Sequence, residues 1–255
     1  HQPLIHVHPD PAHLNQVFAA ELAVAAEPSG FLRALAEHPS RPPAARAAWV
    51  EMLHGRIRAA RPGPRPADGL LDIGPVALCE LAPDDAIFIT DAGNFSGWLH
   101  RHFPFNGRQR LIGAVGGAMG IGVPAAVAAG LRCPDRQIIT LIGDGGFLMT
   151  GSELATALQH GVPVKIFVSD NQSYGTIRLH QERQYPGRPT ATDLYNPDFA
   201  KLAEAYGARG FTIESIDEAA AVVKAALAEP GAALVSVKTA VEHISAFATL
   251  SELRP

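Results

Sequence analysis

From about residue 86 onward, short apolar runs alternate with amphipathic segments, which is the pattern of a domain in which strands and helices alternate. The apolar runs predict strands over residues 86–90, 137–142, 164–169, 210–212 and 233–237. The other segments predict helices over residues 73–81, 119–129, 152–160, 198–206 and 216–228. Because the strands are continuous apolar runs, helices are expected to cover both faces of the sheet. The pattern therefore predicts an α/β fold built on a doubly wound parallel sheet.

The first sixty residues show a different pattern. Residues 4–11 predict a short strand that ends in a proline-rich turn, and residues 29–38 and 45–60 predict two amphipathic helices. Residues 61–69 are rich in proline and glycine and predict a linker. We therefore expect a first region over 1–60, a linker over 61–69 and a C-terminal domain over 70–255.

Two polar residues stand directly after apolar runs of the C-terminal domain. Asp144 follows the run at 137–142, Asn171 follows the run at 164–169, and a helical segment lies between them. A strand, a helix and a second strand form a crossover unit whose strands are parallel. The carboxyl ends of parallel strands lie at one edge of the sheet, where open α/β sheets bind ligands. We therefore expect Asp144 and Asn171 to lie side by side at that edge.

The chemistry of these two side chains favours magnesium and phosphate. Carboxylate and carboxamide oxygens are hard ligands, which suit Mg²⁺ or Ca²⁺ better than zinc. Mg²⁺ usually takes one or two protein side chains and completes its shell with phosphate oxygens and water. Glycines beside Asp144 allow a phosphate to approach the backbone, and Ser152 is predicted to cap a helix whose first N–H groups face an anion. The local pattern predicts a magnesium-bound diphosphate, with an ordinary pair of strand-to-helix turns as the alternative.

Residues 143–174 resemble the thiamine-diphosphate motif of the acetohydroxyacid synthase and pyruvate decarboxylase superfamily. That motif is GDG, an intervening stretch and a closing Asn pair, and here it is Gly143-Asp144-Gly145 … Asp170-Asn171, with Asp170 in place of the first Asn. The resemblance implies that the metal ligands are the side chains of Asp144 and Asn171 and the backbone carbonyl of Ser173. It also implies cofactor contacts from Gly143, Gly145, Gly146 and Tyr174.

Two further segments are similar to the same family. Residues 113–130 resemble the stretch that holds the aminopyrimidine ring of the cofactor. Met119 would be the wedge that bends the cofactor into a V, and the Gly117 carbonyl would accept a hydrogen bond from the 4′-amino group. Residues 87–98 resemble the loop that adds diphosphate contacts, with Gly93 and Asn94 as the candidates, and Phe95 stands where many relatives have His.

The resemblance implies an enzyme that uses thiamine diphosphate and Mg²⁺ on a 2-keto acid. The reaction would be decarboxylation, carboligation or both, so the enzyme would be a lyase or a transferase, similar to acetolactate synthase. The MxxQWQ stretch of acetohydroxyacid synthases does not follow Asn171, so a related carboligase or 2-keto acid decarboxylase fits as well as a true acetolactate synthase.

The resemblance also implies that this chain is one part of the enzyme. The activating glutamate of the family belongs to an N-terminal pyrimidine-binding domain, whereas residues 1–60 resemble the tail of the middle domain. We therefore expect no catalytic residue in this chain and no activity from it alone. The pyrimidine-binding domain would come from the same gene product or a partner chain, within a homodimer or homotetramer. The chain opens with His1, which predicts a fragment of a longer product, with a natural two-subunit enzyme as the alternative.

Composition narrows the classes of partner. The formal net charge of −4, without a basic block, argues against nucleic acid. The longest apolar stretch, near 121–131, is too short to span a membrane. Cys79 and Cys133 give no disulfide framework, so a cytoplasmic setting is expected. Two other classes stay open: a non-catalytic domain that binds a phosphorylated ligand or a partner, and a Rossmann-type nucleotide binder, which the glycine spacing over 116–122 disfavours.

Overall fold

In the computed structural model of the protein, the described residues are 2–38, 44–60, 77–78 and 80–254. The chain divides into two compact units, His1–Ala59 and Ala60–Pro255. The predicted linker over 61–69, Cys79 and part of the predicted helix over 73–81 lie outside the described residues. The assignment of residues 1–60 to the tail of a middle domain stays a prediction.

The first unit contains a small parallel sheet. In it β1 (Ile5–His8) pairs with β2 (Leu22–Ala25), and the helices α1 (Pro28–Ala36) and α2 (Ala44–Ala60) follow. The strand β1 and both helices lie where the sequence predicts them. The strand β2 was not predicted, because its alanine-rich sequence has neither the alternation nor the β-branched content that marks a strand.

The described residues of the second unit contain a sheet of six strands. The strands are β3 (Ile87–Thr90), β4 (Arg110–Gly113), β5 (Ile138–Gly143), β6 (Lys165–Asp170), β7 (Arg209–Ile213) and β8 (Ala233–Lys238). The helices are α3 (Ser96–His102), α4 (Gly122–Arg132), α5 (Asp144–Thr150), α6 (Leu154–Gln159), α7 (Gly175–Gln184), α8 (Phe199–Tyr206), α9 (Ile216–Ala228) and α10 (Leu250–Leu253). The spatial order is β4-β3-β5-β6-β8-β7, and every neighbouring pair is parallel.

Helices pack on both faces of this sheet. Successive residues of β3 point to opposite faces: Ile87 and Ile89 belong to one buried cluster, and Phe88 belongs to another. The first cluster also contains residues of α4 and α8, and the second contains residues of α3 and α9. The predicted fold class, an α/β domain with a doubly wound parallel sheet, is confirmed.

The predicted strands and the observed strands agree closely. Each of the five predicted strands is present with both ends within one residue of the prediction, and α9 has the predicted ends. The helix predicted over 119–129 is shifted, since α4 runs from Gly122 to Arg132. The elements β4 and α3 were not predicted. β4 lies at the edge of the sheet with all four residues exposed, and its apolar run is only two residues long, Leu111 and Ile112, which is too short to mark a strand.

The predicted helix start at Ser152 is wrong. The chain becomes helical directly after β5, in α5, and then continues through a 3-10 turn (Gly151–Glu153) into α6. Ser152 therefore lies inside the 3-10 turn and caps no helix. Glycine-rich sequence disfavours a helix by propensity, but Phe147 of α5 is buried and stacks edge to face on Phe199, with 5.4 Å between ring centroids. This tertiary packing stabilises a helix that local propensity does not favour.

Close packing between α8 and β7 gives a first prediction. A Cβ built at Gly210 would lie 2.2 Å from the carbonyl oxygen of Ala200, and backbone of this kind cannot move aside as a flexible side chain can. We expect Gly210→Ala to lower the free energy of unfolding by about 2–3 kcal/mol, measured by urea denaturation. Gly231→Ala is the matched control, since a Cβ there would have only Glu229 Oε1, at 4.0 Å, within reach. Equal stability of the two variants would contradict this packing.

Candidate metal and cofactor site

The central strands β5 and β6 bring two polar loops together at the carboxyl edge of the sheet. The strands are parallel neighbours, with Gly143 opposite Ser169. Asp144 is the first residue after β5, and Asn171 is the first residue after β6. The Gln172 N–H donates a hydrogen bond to Asp144 Oδ2 at 2.7 Å, so the loop that carries Asn171 contacts the Asp144 carboxylate directly.

The Asp144 carboxylate is buried and held by three hydrogen bonds. Asp144 is only 2% exposed to solvent. Oδ1 accepts from the Gly145 N–H at 2.8 Å, while Oδ2 accepts from the Gln172 N–H at 2.7 Å and from Asn196 Nδ2 at 2.8 Å. Burial raises the pKa of Asp144 above its ordinary value, and the three hydrogen bonds oppose that rise. A cation at this carboxylate would offset the cost of burying its charge.

The loop after β6 presents two more oxygens. Asn171 Oδ1 accepts from the Ser173 N–H at 3.0 Å, and the Ser173 carbonyl accepts from the Gly175 N–H at 2.8 Å. Gln172 between them has a left-handed backbone, with φ of 55°. Each of the two oxygens has two lone pairs and uses one of them in these turns, so each keeps one for a ligand.

A cleft opens over these loops within the second unit. It is lined by every predicted site residue except Gly117: Gly93, Asn94, Met119, Gly143, Asp144, Gly145, Gly146, Asn171, Ser173 and Tyr174. Gly117 lies nearby in an exposed turn, with φ of 69° and its N–H donating to the Ala114 carbonyl. The structure therefore gathers the three sequence segments with cofactor-like motifs around one opening.

In one wall of the cleft, Asn94 joins two other segments of the chain by hydrogen bonds. Its backbone N–H donates to Thr176 Oγ1 at 3.0 Å, and its carboxamide donates to the Ile244 carbonyl at 3.0 Å. The backbone N–H and one N–H of the carboxamide are thus engaged within the protein. The predicted diphosphate contact from Asn94 stays a prediction, and the side chain has an evident structural role.

Aromatic rings explain two of the glycines in this cleft. A Cβ at Gly145 would lie 2.5 Å from the Tyr174 ring, and a Cβ at Gly93 would lie 2.4 Å from the Phe95 ring. A side chain at either position would have to displace one of these rings, so ring packing by itself favours glycine there, whether or not a phosphate approaches the backbone.

Asp91 was not singled out from the sequence, although it stands at the end of a strand as Asp144 does. It is buried, and both carboxylate oxygens accept from the Gly120 N–H, at 2.9 and 2.8 Å. Burial raises the pKa of Asp91, and hydrogen bonds from backbone N–H groups oppose the rise. Asp91 thereby fixes the residue next to Met119. Its position after the apolar run of β3 was the signal that could have identified it.

A second hydrogen-bond network, which the sequence did not predict, holds Asp144 through Asn196. Asn196 Nδ2 donates both to Asp144 Oδ2 at 2.8 Å and to Asp170 Oδ1 at 2.7 Å. Asp170 is buried, forms an ion pair with Lys238 and accepts from Ser236 Oγ at 3.3 Å. Asp170, the carboxylate that stands in place of the usual Asn, is thus paired with the ammonium group of Lys238. These residues come from four separate parts of the chain, so no local sequence pattern links them.

The chain near its C-terminal end packs against α7, which follows the candidate metal loop. Ile244 and Leu250 form a small buried cluster with Leu179 of α7. Arg254 donates to Glu182 through Nη2 at 2.6 Å and Nε at 3.1 Å, and Glu182 is buried. The bonds from Arg254 and from the Gly187 N–H lower the pKa of Glu182 to about 2.

The Glu182 pair gives a prediction on acid stability. The folded-state pKa lies below the ordinary value of 4.5, so the ionised carboxylate contributes stability above about pH 4.5 that is lost as the pH falls toward about 2. We expect Glu182→Gln to be less stable than the parent at neutral pH, with the difference shrinking over that acid range. Urea denaturation from about pH 3 to about pH 7 measures this. Glu204→Gln, an exposed change on α8, is the control, and a pH-independent difference for Glu182→Gln would contradict the interpretation.

Among the described residues, no helix is long and apolar enough to cross a bilayer. The same residues contain no group of three or more His, Cys, Asp and Glu side chains placed to hold a metal. A cation in the cleft would therefore depend on one carboxylate, on neutral oxygens and on its ligand, which is the usual arrangement for Mg²⁺ with phosphate.

Comparison with known proteins points to one family. Residues 91–237 match the model of the thiamine pyrophosphate enzyme C-terminal TPP binding domain. The acetolactate synthase large subunit of Parasynechococcus marenigrum is 34% identical over 244 residues, which cover 92% of this chain and 39% of that protein. The acetolactate synthase isozyme 2 large subunit of Escherichia coli is 31% identical over 242 residues, which cover 93% of this chain and 43% of that protein.

A solved structure agrees with these matches. The thiamine diphosphate-dependent 4-hydroxybenzoylformate decarboxylase of Rhodococcus jostii superposes with a TM-score of 0.75 and 26% identity, over 93% of this chain and 44% of that chain. The chain therefore spans less than half the length of the relatives that it matches.

Proposed function

We propose a function from the premise that this chain belongs to the thiamine pyrophosphate enzymes, as their C-terminal TPP binding domain. It is the diphosphate-binding part of an acetolactate synthase-like enzyme that decarboxylates a 2-keto acid, joins it to a second carbonyl compound, or does both. The observation that supports this most directly is the buried Asp144 carboxylate, which faces the same cleft as Asn171 and Ser173.

The donor set of the cleft fits Mg²⁺ with a diphosphate. Asp144 supplies one negative charge, and the Asn171 carboxamide and the Ser173 carbonyl supply neutral oxygens, each with a lone pair left over. The phosphate oxygens and water would complete the shell of the ion. No Lys or Arg side chain lines the cleft among the described residues, so a divalent cation is the natural counter-charge for a diphosphate there.

The residues of this chain would bind and orient the cofactor. When bound, thiamine diphosphate supplies an electron sink for the bond between the keto and carboxyl carbons. Asp144, Asn171 and Ser173 would hold its diphosphate through Mg²⁺. Met119, which Asp91 fixes through Gly120, would support the cofactor rings from the wall of the cleft. The loss of a metal ligand should therefore weaken binding before it affects the chemical step.

The rest of the active site would come from outside this chain. We propose that a pyrimidine-binding domain, of the same gene product or of a partner chain, supplies the activating glutamate. The chain alone would then be inactive, and the complete enzyme would be a cytoplasmic homodimer or homotetramer. This chain covers less than half the length of each of these relatives, which supports a contribution from further domains.

Loss of the Asp144 charge should abolish cofactor binding. For the product of the whole gene, Mg²⁺ and thiamine diphosphate at about 100 times the dissociation constant should stabilise the protein by about 2.7 kcal/mol. We expect Asp144→Asn to lose nearly all of this stabilisation, since the amide removes the charge that holds the cation. Thermal denaturation with and without both ligands measures it, and Asp217→Asn, an exposed change in the first turn of α9, should keep the full shift. If the unmutated protein shows no shift, the site is not a cofactor site.

Enzyme activity provides a separate test. The product of the whole gene, loaded with Mg²⁺ and thiamine diphosphate, should release CO₂ from at least one member of a panel of aliphatic and aromatic 2-keto acids, with or without an added carbonyl acceptor. Asp144→Asn should show no release above background at the same cofactor concentration. Cofactor binding without CO₂ release or a coupled product across the panel would instead favour a non-catalytic binding domain.

A further inference from the structure

Asn196 occupies an unusual position between two buried carboxylates. Its Nδ2 donates to Asp144 Oδ2 at 2.8 Å and to Asp170 Oδ1 at 2.7 Å, which uses both hydrogens of the amide. Asn196 Oδ1 is buried and has no hydrogen-bond partner among the described residues. The opposite orientation of the amide would place Oδ1 against two carboxylates, so the network itself determines which way the amide points.

The segment that carries Asn196 is fixed on the candidate metal loop. The Leu194 N–H donates to the Gln172 carbonyl at 2.8 Å, and the Thr192 carbonyl accepts from the Tyr174 N–H at 2.8 Å and from Ser173 Oγ at 3.0 Å. Asn196 therefore cannot shift without disturbing the loop that contains Asn171 and Ser173.

The hydrogen bonds leave the two oxygens of Asp144 unequal. Oδ2 accepts from Asn196 and from the Gln172 N–H, so both of its lone pairs are engaged. Oδ1 accepts only from the Gly145 N–H, so one lone pair is available. A cation can therefore reach Asp144 through one oxygen, with the carboxylate as a monodentate ligand.

The far side of the network keeps Asn196 in place. Asp170 Oδ1 accepts the second N–H of Asn196, and the other oxygen of Asp170 pairs with Lys238 and accepts from Ser236. Because Lys238 balances the charge of Asp170, Asp170 is available as an acceptor for Asn196 and is not drawn to the cation.

We propose that Asn196 is a positioning residue for the cation site, which blocks Oδ2 of Asp144 and so makes the site selective for Mg²⁺ over Ca²⁺. This inference rests on the proposed function, since it assumes that a cation binds at Asp144. Mg²⁺ demands a small octahedral shell, whereas Ca²⁺ is larger and readily accepts both oxygens of one carboxylate. Removal of the Asn196 amide would leave Oδ2 with a free lone pair and allow the bidentate mode that suits Ca²⁺.

The test is a calorimetric titration of Mg²⁺ and of Ca²⁺ into the product of the whole gene in the presence of a fixed excess of thiamine diphosphate. We expect Asn196→Ala to lower Mg²⁺ affinity by about tenfold, as changes to groups that orient metal ligands commonly do. Ca²⁺ affinity should fall less, so the ratio of Mg²⁺ to Ca²⁺ affinity should drop. A merely structural role would lower both affinities by the same factor.

Two further variants make the result decisive. Asn106→Ala is the matched control: Asn106 also donates through its amide, to the Asp84 carbonyl at 2.9 Å, in a turn away from the cleft, and its loss should leave the ratio unchanged. Asn196→Ser keeps a polar side chain and is measured in parallel, so that a folded variant exists if Asn196→Ala does not fold. An unchanged ratio in the Asn196 variants would overturn this inference alone. Failure of the unmutated protein to bind either ion would overturn the proposed function instead.

Discussion

The buried negative charge of Asp144 is the constraint around which this edge of the sheet is organised. A carboxylate that is 2% exposed is costly to keep ionised, and burial raises its pKa accordingly. Two backbone N–H groups and the amide of Asn196 donate hydrogen bonds to this carboxylate, and none of them carries a charge. These donors fix the position of the carboxylate and bring no positive charge of their own, so a bound cation would supply the counter-charge. Under the proposed function, that charge would hold the divalent cation of the cofactor.

Much of this arrangement could be predicted from the sequence. The central strands β5 and β6 are short, mostly apolar runs because both of their faces are buried, and their length and the turn residues beside them favour strands over helices. Asp144 and Asn171 follow directly from them, since a crossover between parallel strands places both strand ends at one edge. The helix predicted over 216–228 likewise has its observed ends, and in the structure a capping box of Ser215 and Glu218 begins it.

Other features depend on contacts that no local pattern records. Asn196 is 52 positions from Asp144, and Lys238 is 68 positions from Asp170, so their meeting is a property of the folded sheet. The helix start predicted at Ser152 is wrong for a related reason: propensity disfavours α5, but the burial of Phe147 outweighs it. The edge strand β4 has only two adjacent apolar residues, so it lacks the long apolar run by which the other strands were predicted.

The wall of the cleft has a consequence for biosynthesis. Asn94 joins Thr176 and Ile244, partners that lie 82 and 150 positions further along the chain. A ribosome releases these segments in order, so a nascent chain that ends before Ile244 has no complete wall, however well its earlier strands have formed. Closure of such long loops is also among the slower events in folding. This wall of the cleft can therefore be complete only after translation has passed the last strand of the sheet.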